Sequence, residues 1–511
     1  MPEPLLKENT NLILVTESKR KAANGKLEPK TKSALGQYMT PANVASFMAS
    51  LFPEPVSKKI SLLDPGAGVG SLTSAFVDHF CKLYSNICID LTAYEIDSVM
   101  QEYLRENLSL CKTSANLKKC KFSWKLINRD FVVEASRMIA SIDSLWKEDV
   151  EKFSHCIMNP PYKKILSSSR HRLSLRTAGI ETVNLYSAFV ALSVLLMESK
   201  GYLVAIIPRS FCNGPYYRPF RELILKYTAI KRIHLFDSRS KAFKEDKVLQ
   251  ENIIIALEKN AEQGDVIIST STDDTFSDIA ISDYPFSSIV KESDSEFFIH
   301  IPTSPDDILE LSENFRHSLS DVGINISTGP VVDFRMKDHL RQMPEKGAVP
   351  LLYPCHFKKD ALVWPIENGK KPNAIMTNSD TKKWLYPNGF YTVVRRFSSK
   401  EEKRRIVASI VDPRLLDGAE NIGLENHLNV FHKNKKPLSE NLARGLVVYL
   451  NSTIVDEYFR RFSGHTQVNA TDLKLMTYPS RHILSKLGEW AKLHAELTQE
   501  MIDNKMESFS K

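Results

Sequence analysis

An α/β fold, a mostly parallel sheet with helices on both faces, is predicted for residues 60–260 by three observations. Seven short apolar runs alternate with amphipathic stretches of helical spacing, the pattern of repeated strand–helix–strand units. The first run ends in a glycine-rich turn, "DPGAGVG", that opens a helical stretch. The first four runs all terminate in polar residues, at the strand ends where an open parallel sheet gathers its ligands.

Taken in order, residues 1–60 read as a polar, helical segment that closes on "LGQYMTPANVASFMASLFP". Thr40 followed by Pro41 has the form of an N-cap with proline at the first helical position. Val44, Phe47, Met48 and Leu51 then recur at helical spacing. The strand runs are ISLLD (60–64), CIDLTAYE (88–95), FSWKLIN (122–128), HCIMN (155–159), YLVAIIP (202–208), IKRIHLF (230–236) and NIIIALE (252–258). Helices are expected over 71–84, 97–110, 184–199 and 217–227. Residues 261–300 are rich in Ser, Thr and Asp and read as a linker or boundary region. Residues 301–480 read as a second, mixed α+β domain of shorter strands, and 481–511 as a closing polar helix.

The 511 residues, 42% apolar and 25% charged, are those of an ordinary globular protein of two or three domains. The sequence has no apolar run of membrane length and its start lacks the features of a secretory signal, so a cytoplasmic protein is expected. Seven cysteines, scattered and without a CxxC pair, support neither a disulfide framework nor a zinc site, and no metal is expected. A net charge of +7 permits a polyanionic partner without demanding one. From Lys382 to Arg405 there are eight Lys/Arg against two Glu, interleaved with Trp384, Tyr386, Phe390, Tyr391 and Phe397. Arg395 and Arg396 sit in the middle of a segment that is either a phosphate-facing surface or a solvated basic face around a hairpin.

The strand ends carry the chemistry. After the first, Asp64 precedes Gly66, Gly68 and Gly70, which allow a tight turn and close approach of a ligand to the backbone. The spacing is neither a dinucleotide GxGxxG nor a P-loop. After the second, Glu95 suits a pair of ribose hydroxyls, or caps the following helix. After the third, Asp130 can accept from an adenine amino group while Phe131 packs on the ring; the ordinary reading is an N-capping Asp and a core Phe. The fourth ends in Asn159-Pro160-Pro161-Tyr162, and two prolines cannot continue a sheet. Each motif taken singly has a structural explanation, but four polar strand ends in succession are much less expected by chance.

The order "TP" helix, "DPGAGVG", "YE", "DF", "NPPY" resembles the gamma-class (Taq-type) adenine-specific N6 DNA methyltransferases of type II restriction-modification systems. The resemblance covers roughly residues 35–258, and the C-terminal half stands where that family carries its target-recognition domain. It implies a Rossmann-like methyltransferase sheet with S-adenosylmethionine as cofactor, the N-terminal segment closing the cofactor site. By this likeness Thr40 lies near the methionine carboxylate, Asp64 and the loop containing Gly66 and Gly68 line the methionine side, Glu95 holds the ribose, and Asp130 with Phe131 holds the adenine. The sequence departs from the pattern at Asp64, where many relatives carry Glu. Asn159 and the Pro160 carbonyl are implied to grip the amino group of a flipped base, Tyr162 to stack on it, and Phe243 to supply a second ring.

The pieces "GPVVDFR" (329–335) and "SGHTQVNATDLKLMTYP" (463–479) look like the entry and exit of the recognition domain. Gln467 and Asn469 are residue types that read base edges or phosphates, or cap turns. The implied partners are double-stranded DNA and a cognate restriction endonuclease acting separately on the same site, with no membrane and a functional monomer. Cytosine N4 transfer is the alternative within the same chemistry, although Ser stands more often there in place of Asn159. "NPPY" also occurs in protein-glutamine and RNA methyltransferases, and a sequence-specific DNA-binding subunit with a degenerate catalytic domain remains a different class of answer. Cys355, after Pro354, lies far outside the motif-bearing half and is rejected as a nucleophile.

Overall fold

Val, Ile and Leu fill the central runs because a parallel strand covered on both faces needs apolar side chains on both. The computed structural model describes residues 11–26, 39–142, 150–236, 251–291, 294–302, 315–358, 361–398, 402–416, 418–462 and 467–510. The chain divides into two compact units, Met1–Pro305 and Asp306–Lys511. In the first, β1 (Lys59–Pro65), β2 (Cys88–Tyr94), β3 (Lys121–Ile127), β4 (Phe153–Met158), β5 (Met197–Pro208), β6 (Thr228–Phe236), β7 (Asn252–Lys259), β8 (Val266–Ser271) and β9 (Ala280–Tyr284) make one sheet. Its order is β3-β2-β1-β4-β5-β7-β6-β8-β9. The pairs from β3 to β5 are parallel, and β7 runs antiparallel between β5 and β6. The order reverses direction between β1 and β4, which opens a crevice at their carboxyl ends.

Side chains alternate along these strands between two cores. Leu63, Leu203, Ala205, Ile253 and Ile255 pack with α5 (Phe131–Ile142), α7 (Leu185–Leu196) and α8 (Arg218–Tyr227), numbered in chain order. Leu62, Val204, Ile206 and Ile254 pack with α2 (Ala42–Ser50), α3 (Ser71–Leu83) and α4 (Ser98–Leu117) on the other face. The period of two in the sequence thus becomes two helical layers. The first unit also holds α1 (Leu12–Lys26), α6 (Arg170–Thr177) and a single turn of helix at Phe286–Ile289.

Three expectations need correction. Residues 261–300 are not a linker: they supply β8, largely buried beside β6 with Ser269 and Ser271 among its inward positions, and β9, the edge strand, whose exposed polar positions hide the strand pattern. Residues 481–511 form two helices rather than one, Arg481–Ala491 and Gln499–Ser510, and the Thr498 hydroxyl accepts from Met501 N at 3.2 Å to cap the second. Thr40 does not cap α2. Pro41 is the extended residue before Ala42, and the Ala42 amide donates instead to Glu17 Oε2 at 3.2 Å, leaving the Thr40 hydroxyl for another partner.

The second unit holds an antiparallel four-stranded sheet, in the order Asn325–Thr328, Leu428–His432, Tyr391–Arg395, Ala408–Val411, and a smaller five-stranded one. Among the described residues no helix is long and apolar enough to cross a membrane, and no cluster of His, Cys, Asp or Glu has the form of a metal site. The seven cysteines are unpaired, and five are buried.

Helices Glu440–Leu450 and Arg481–Ala491 cross at two glycines. A Cβ on Gly445 would stand 1.8 Å from the Leu484 carbonyl oxygen, and one on Gly488 would stand 1.8 Å from that of Asn441. The obstacle is backbone, so no rotamer change relieves it. Gly445→Ala is expected to destabilise the protein by about 3 kcal/mol despite alanine's better helix propensity, read as a fall in the denaturant midpoint.

Candidate active site

Glycine at 66 and 68 makes the turn after β1 possible: φ is +107° and +55°, in the left-handed range. The amides of Gly66 and Ala67 both donate to the Tyr94 carbonyl at 2.9 Å, so the turn is tied to the end of β2. Glu95, the next residue, is buried. Its Oε2 accepts from Gly68 N, and its Oε1 from Ile96 N and Asp97 N, each at 2.8 Å. Burial raises its pKa, against the pull of these three amides. A carboxylate offers about four lone-pair sites, so one site on Oε2 stays open.

A cavity of about 320 Å³ lies at this end of the sheet. Thr40, Gly66, Gly68, Glu95, Asp130, Phe131 and Asn159 all border it. Phe131 packs against Tyr94 and Phe189 with ring centroids 5.1 Å from each, giving the cavity an aromatic wall. Asp130 caps α5 through its Oδ1, which accepts from Val133 N at 3.1 Å, while its Oδ2 lies 2.6 Å from His171 Nε2. Burial works to raise the Asp130 carboxyl, but the His171 contact and the amide bonds together hold it below the usual value.

Asn159 leaves the end of β4 and points its carboxamide between two hydroxyls. Nδ2 donates to Thr40 Oγ1 at 3.0 Å, and the Tyr162 hydroxyl donates to Oδ1 at 3.0 Å. The Tyr162 hydroxyl also lies 3.2 Å from the Ile206 carbonyl on β5. These contacts fasten the N-terminal segment to the proline turn.

Not every expected residue borders the cavity. Asp64 is fully buried behind the glycine turn; Oδ2 accepts from Thr73 Oγ1 at 2.7 Å, and Oδ1 has no partner among the described residues. Burial pushes its pKa up to about 7, opposed by the Thr73 hydrogen bond and reinforced by the Glu95 charge. Pro160 is buried, and Pro161 is the proline that faces the cavity. Phe243 lies outside the described residues. Arg395, Arg396, Gln467 and Asn469 belong to the second unit. Arg395 pairs with Glu402, whereas Arg396 has no carboxylate partner among the described residues. Asn469 caps the helix Ala470–Leu475 in a reciprocal arrangement with Asp472.

Sequence reasoning passed over His171 and the two lysines after the proline turn, Lys163 and Lys164, all of which line the cavity. The lysines had a signal, their adjacency to Tyr162. His171 had none, because its partner Asp130 is 41 positions away.

Residues 78–243 match the family model described as Eco57I restriction-modification methylase. The chain is 51% identical over 501 residues to the type II methyltransferase M.BsuBI of Bacillus subtilis, covering 98% of each chain. It is 44% identical to the type II methyltransferase M.PstI of Providencia stuartii over 497 residues, 96% of each. Among solved structures, a complex of DrdV with DNA shares the fold with a TM-score of 0.52 at 11% identity, over 95% of this chain and 60% of that one.

The buried Asp64 gives a pH-dependent stability of definite sign. Below its ordinary value of 3.8 the carboxyl is protonated in both folded and unfolded chains. As the pH rises from there to about 7, the unfolded chain loses the proton first, so stability declines. Asp64→Asn is expected to remove that decline: its stability relative to wild type, from denaturant melts of the ligand-free protein, should rise by a few kcal/mol between pH 4 and pH 7.

Proposed function

The chain belongs to the type II methyltransferases of restriction-modification systems, and on that premise we propose that it methylates the N6 amino group of an adenine in duplex DNA, with S-adenosylmethionine as donor. The single observation behind this reading is that residues from the glycine turn, three further strand ends and the N-terminal segment border one cavity. Bound S-adenosylmethionine supplies a methyl group carried on a positively charged sulfur. The residues present fit it. Glu95 keeps an open acceptor site for a ribose hydroxyl, an added Cβ at Gly68 would meet nothing within 4 Å, so a ligand can reach that backbone, and Phe131 with Phe189 offers an apolar aromatic wall. Asp130 is the acceptor for an adenine amino group, beside His171.

An exocyclic amino group is a poor nucleophile because its lone pair is delocalised into the ring. Asn159 Oδ1 and the Pro160 carbonyl accept its two hydrogens and favour a pyramidal nitrogen, a preorganised electrostatic effect that needs no strong base. The hydrogen bonds from Asn159 to Thr40 and from Tyr162 hold the carboxamide oriented before the base arrives. The Tyr162 ring supplies a stacking face that offsets part of the few kcal/mol needed to flip a base from the helix.

The unit Asp306–Lys511 is assigned the reading of the target sequence. A separate endonuclease cutting the same site, a monomeric enzyme and a cytoplasmic location complete the proposal.

Asn159→Ala is expected to lower methyl transfer by about 10²- to 10³-fold while binding of S-adenosylhomocysteine, measured by calorimetry, changes less than about threefold. Wild-type turnover in that variant defeats the assigned role. Tritiated methyl incorporation into DNA followed by nucleoside analysis should yield N6-methyl-2′-deoxyadenosine; N4-methyl-2′-deoxycytidine would replace the base assignment. Arg396→Ala should weaken binding to all DNA sequences alike and reduce the slope of log affinity against log salt by about one.

A further inference from the structure

Glu425, Asn426 and His427 form the turn between the strands Asn421–Leu424 and Leu428–His432, closed by a hydrogen bond from Leu428 N to Glu425 O at 3.0 Å. Several distant segments meet there. Glu425 N donates to Leu352 O at 3.0 Å, Asn426 N to Val331 O at 2.9 Å, and Arg396 N to His427 O at 2.9 Å. Val468 N donates to Arg396 O at 2.7 Å, and Gln467 bridges to Phe397. The two sequence pieces 329–335 and 463–479, and the basic segment around Arg396, therefore converge on one turn.

At its tip His427 is held in a defined pose. Its Nδ1 lies 2.5 Å from Glu425 Oε1, and its own amide donates to Glu425 Oε2 at 2.9 Å. Glu425 is fully buried. An ionised carboxylate only accepts, so Nδ1 carries its proton whether the ring is neutral or charged, and Nε2 is the nitrogen left to present. Phe397, itself 47% exposed, lies against the ring with centroids 5.1 Å apart and planes at 34°. The imidazole remains 39% exposed. Beside it, among the described residues, the Arg396 guanidinium bonds only to the Asn426 carbonyl, at 3.3 Å, with Nε unpartnered.

Burying a carboxylate is costly, and this one directs both oxygens to a single half-exposed residue. The arrangement fixes the tautomer, plane and direction of an imidazole edge at the surface, next to a cation without a carboxylate partner among the described residues. That is the form of a side chain that reads a base edge beside a phosphate contact. We propose that His427 is a specificity-determining residue, its Nε2 accepting in the major groove from the amino group of a cytosine or adenine at one position of the target, with Glu425 as its positioning residue. The inference rests on the reading of Asp306–Lys511 as the target-recognition unit.

The test is methylation-site sequencing at pH 8, on genomic DNA modified by the full-length wild type, by His427→Ala and by Glu425→Gln. Both variants should relax the same single position of the motif, lowering discrimination there by about ten- to a hundredfold while the other positions are kept. An unchanged motif in His427→Ala at any rate of modification, including a uniformly lower one, overturns the proposal, the latter by making His427 a phosphate contact. Should His427→Ala fail to fold, His427→Gln, which fills the turn, carries the same comparison. If a folded variant modifies nothing, competition between specific and non-specific duplexes decides: preference lost supports the reading, preference kept overturns it. Failure of the underlying assignment looks different, since wild type would then methylate without sequence preference.

Discussion

Parallel register across the centre of the large sheet is the constraint on which the site depends. Pro65 pairs with Tyr94, Tyr94 with Ile127, and Leu63 with Cys156, so four strands finish at nearly the same level. The residues at the four carboxyl ends are therefore delivered to one edge, and these include Asp64, Glu95, Asp130 and Asn159. The reversal of strand order between β1 and β4 parts the adjoining loops and leaves room for a ligand. Without that register the same four residues would be scattered polar groups, each with an ordinary role at a strand or helix end.

The site keeps its polar groups in place by sharing them. Glu95 joins the turn after β1 to the start of α4, since its two oxygens serve amides from both. Gln101 reinforces this by donating to the Glu95 carbonyl at 2.9 Å. Asn159 links the N-terminal segment to the proline turn, and Tyr162 reaches onward to β5. Asp64 is the destabilising member, a buried carboxyl with one oxygen unpartnered among the described residues. Burial raises the carboxyls of both Asp64 and Glu95; what differs is the opposing pull, one Thr73 hydroxyl on Asp64 and three backbone amides on Glu95.

The second unit joins distant pieces of chain through backbone contact. Gly329 admits the turn at Glu425, for a Cβ there would meet the Glu425 carbonyl oxygen at 2.2 Å. The glycine crossing of its two helices brings backbones into contact in the same way. Both are places where a missing side chain allows two distant segments to touch, and in the first the result is a surface rather than a core.

Strand positions were legible in the sequence because apolar alternation is local: each of the seven runs from 60 to 258 became a strand, and the glycine turn and proline turn stand at two of their ends. The same local logic failed at β8, where buried Ser269 and Ser271 take inward positions, at the exposed edge strand β9, whose polar residues resemble a linker, and at residues 481–511, where one hydroxyl cap divides a helix in two. Pairing over long separations was never legible. Thr40 meets Asn159 across 119 positions and Asp130 meets His171 across 41, and Arg396, Gln467 and Val331 gather at the turn that carries His427. Periodicity states which face of an element is buried; which partner lies there depends on strand order and loop path, and those exist only once the chain has closed on itself.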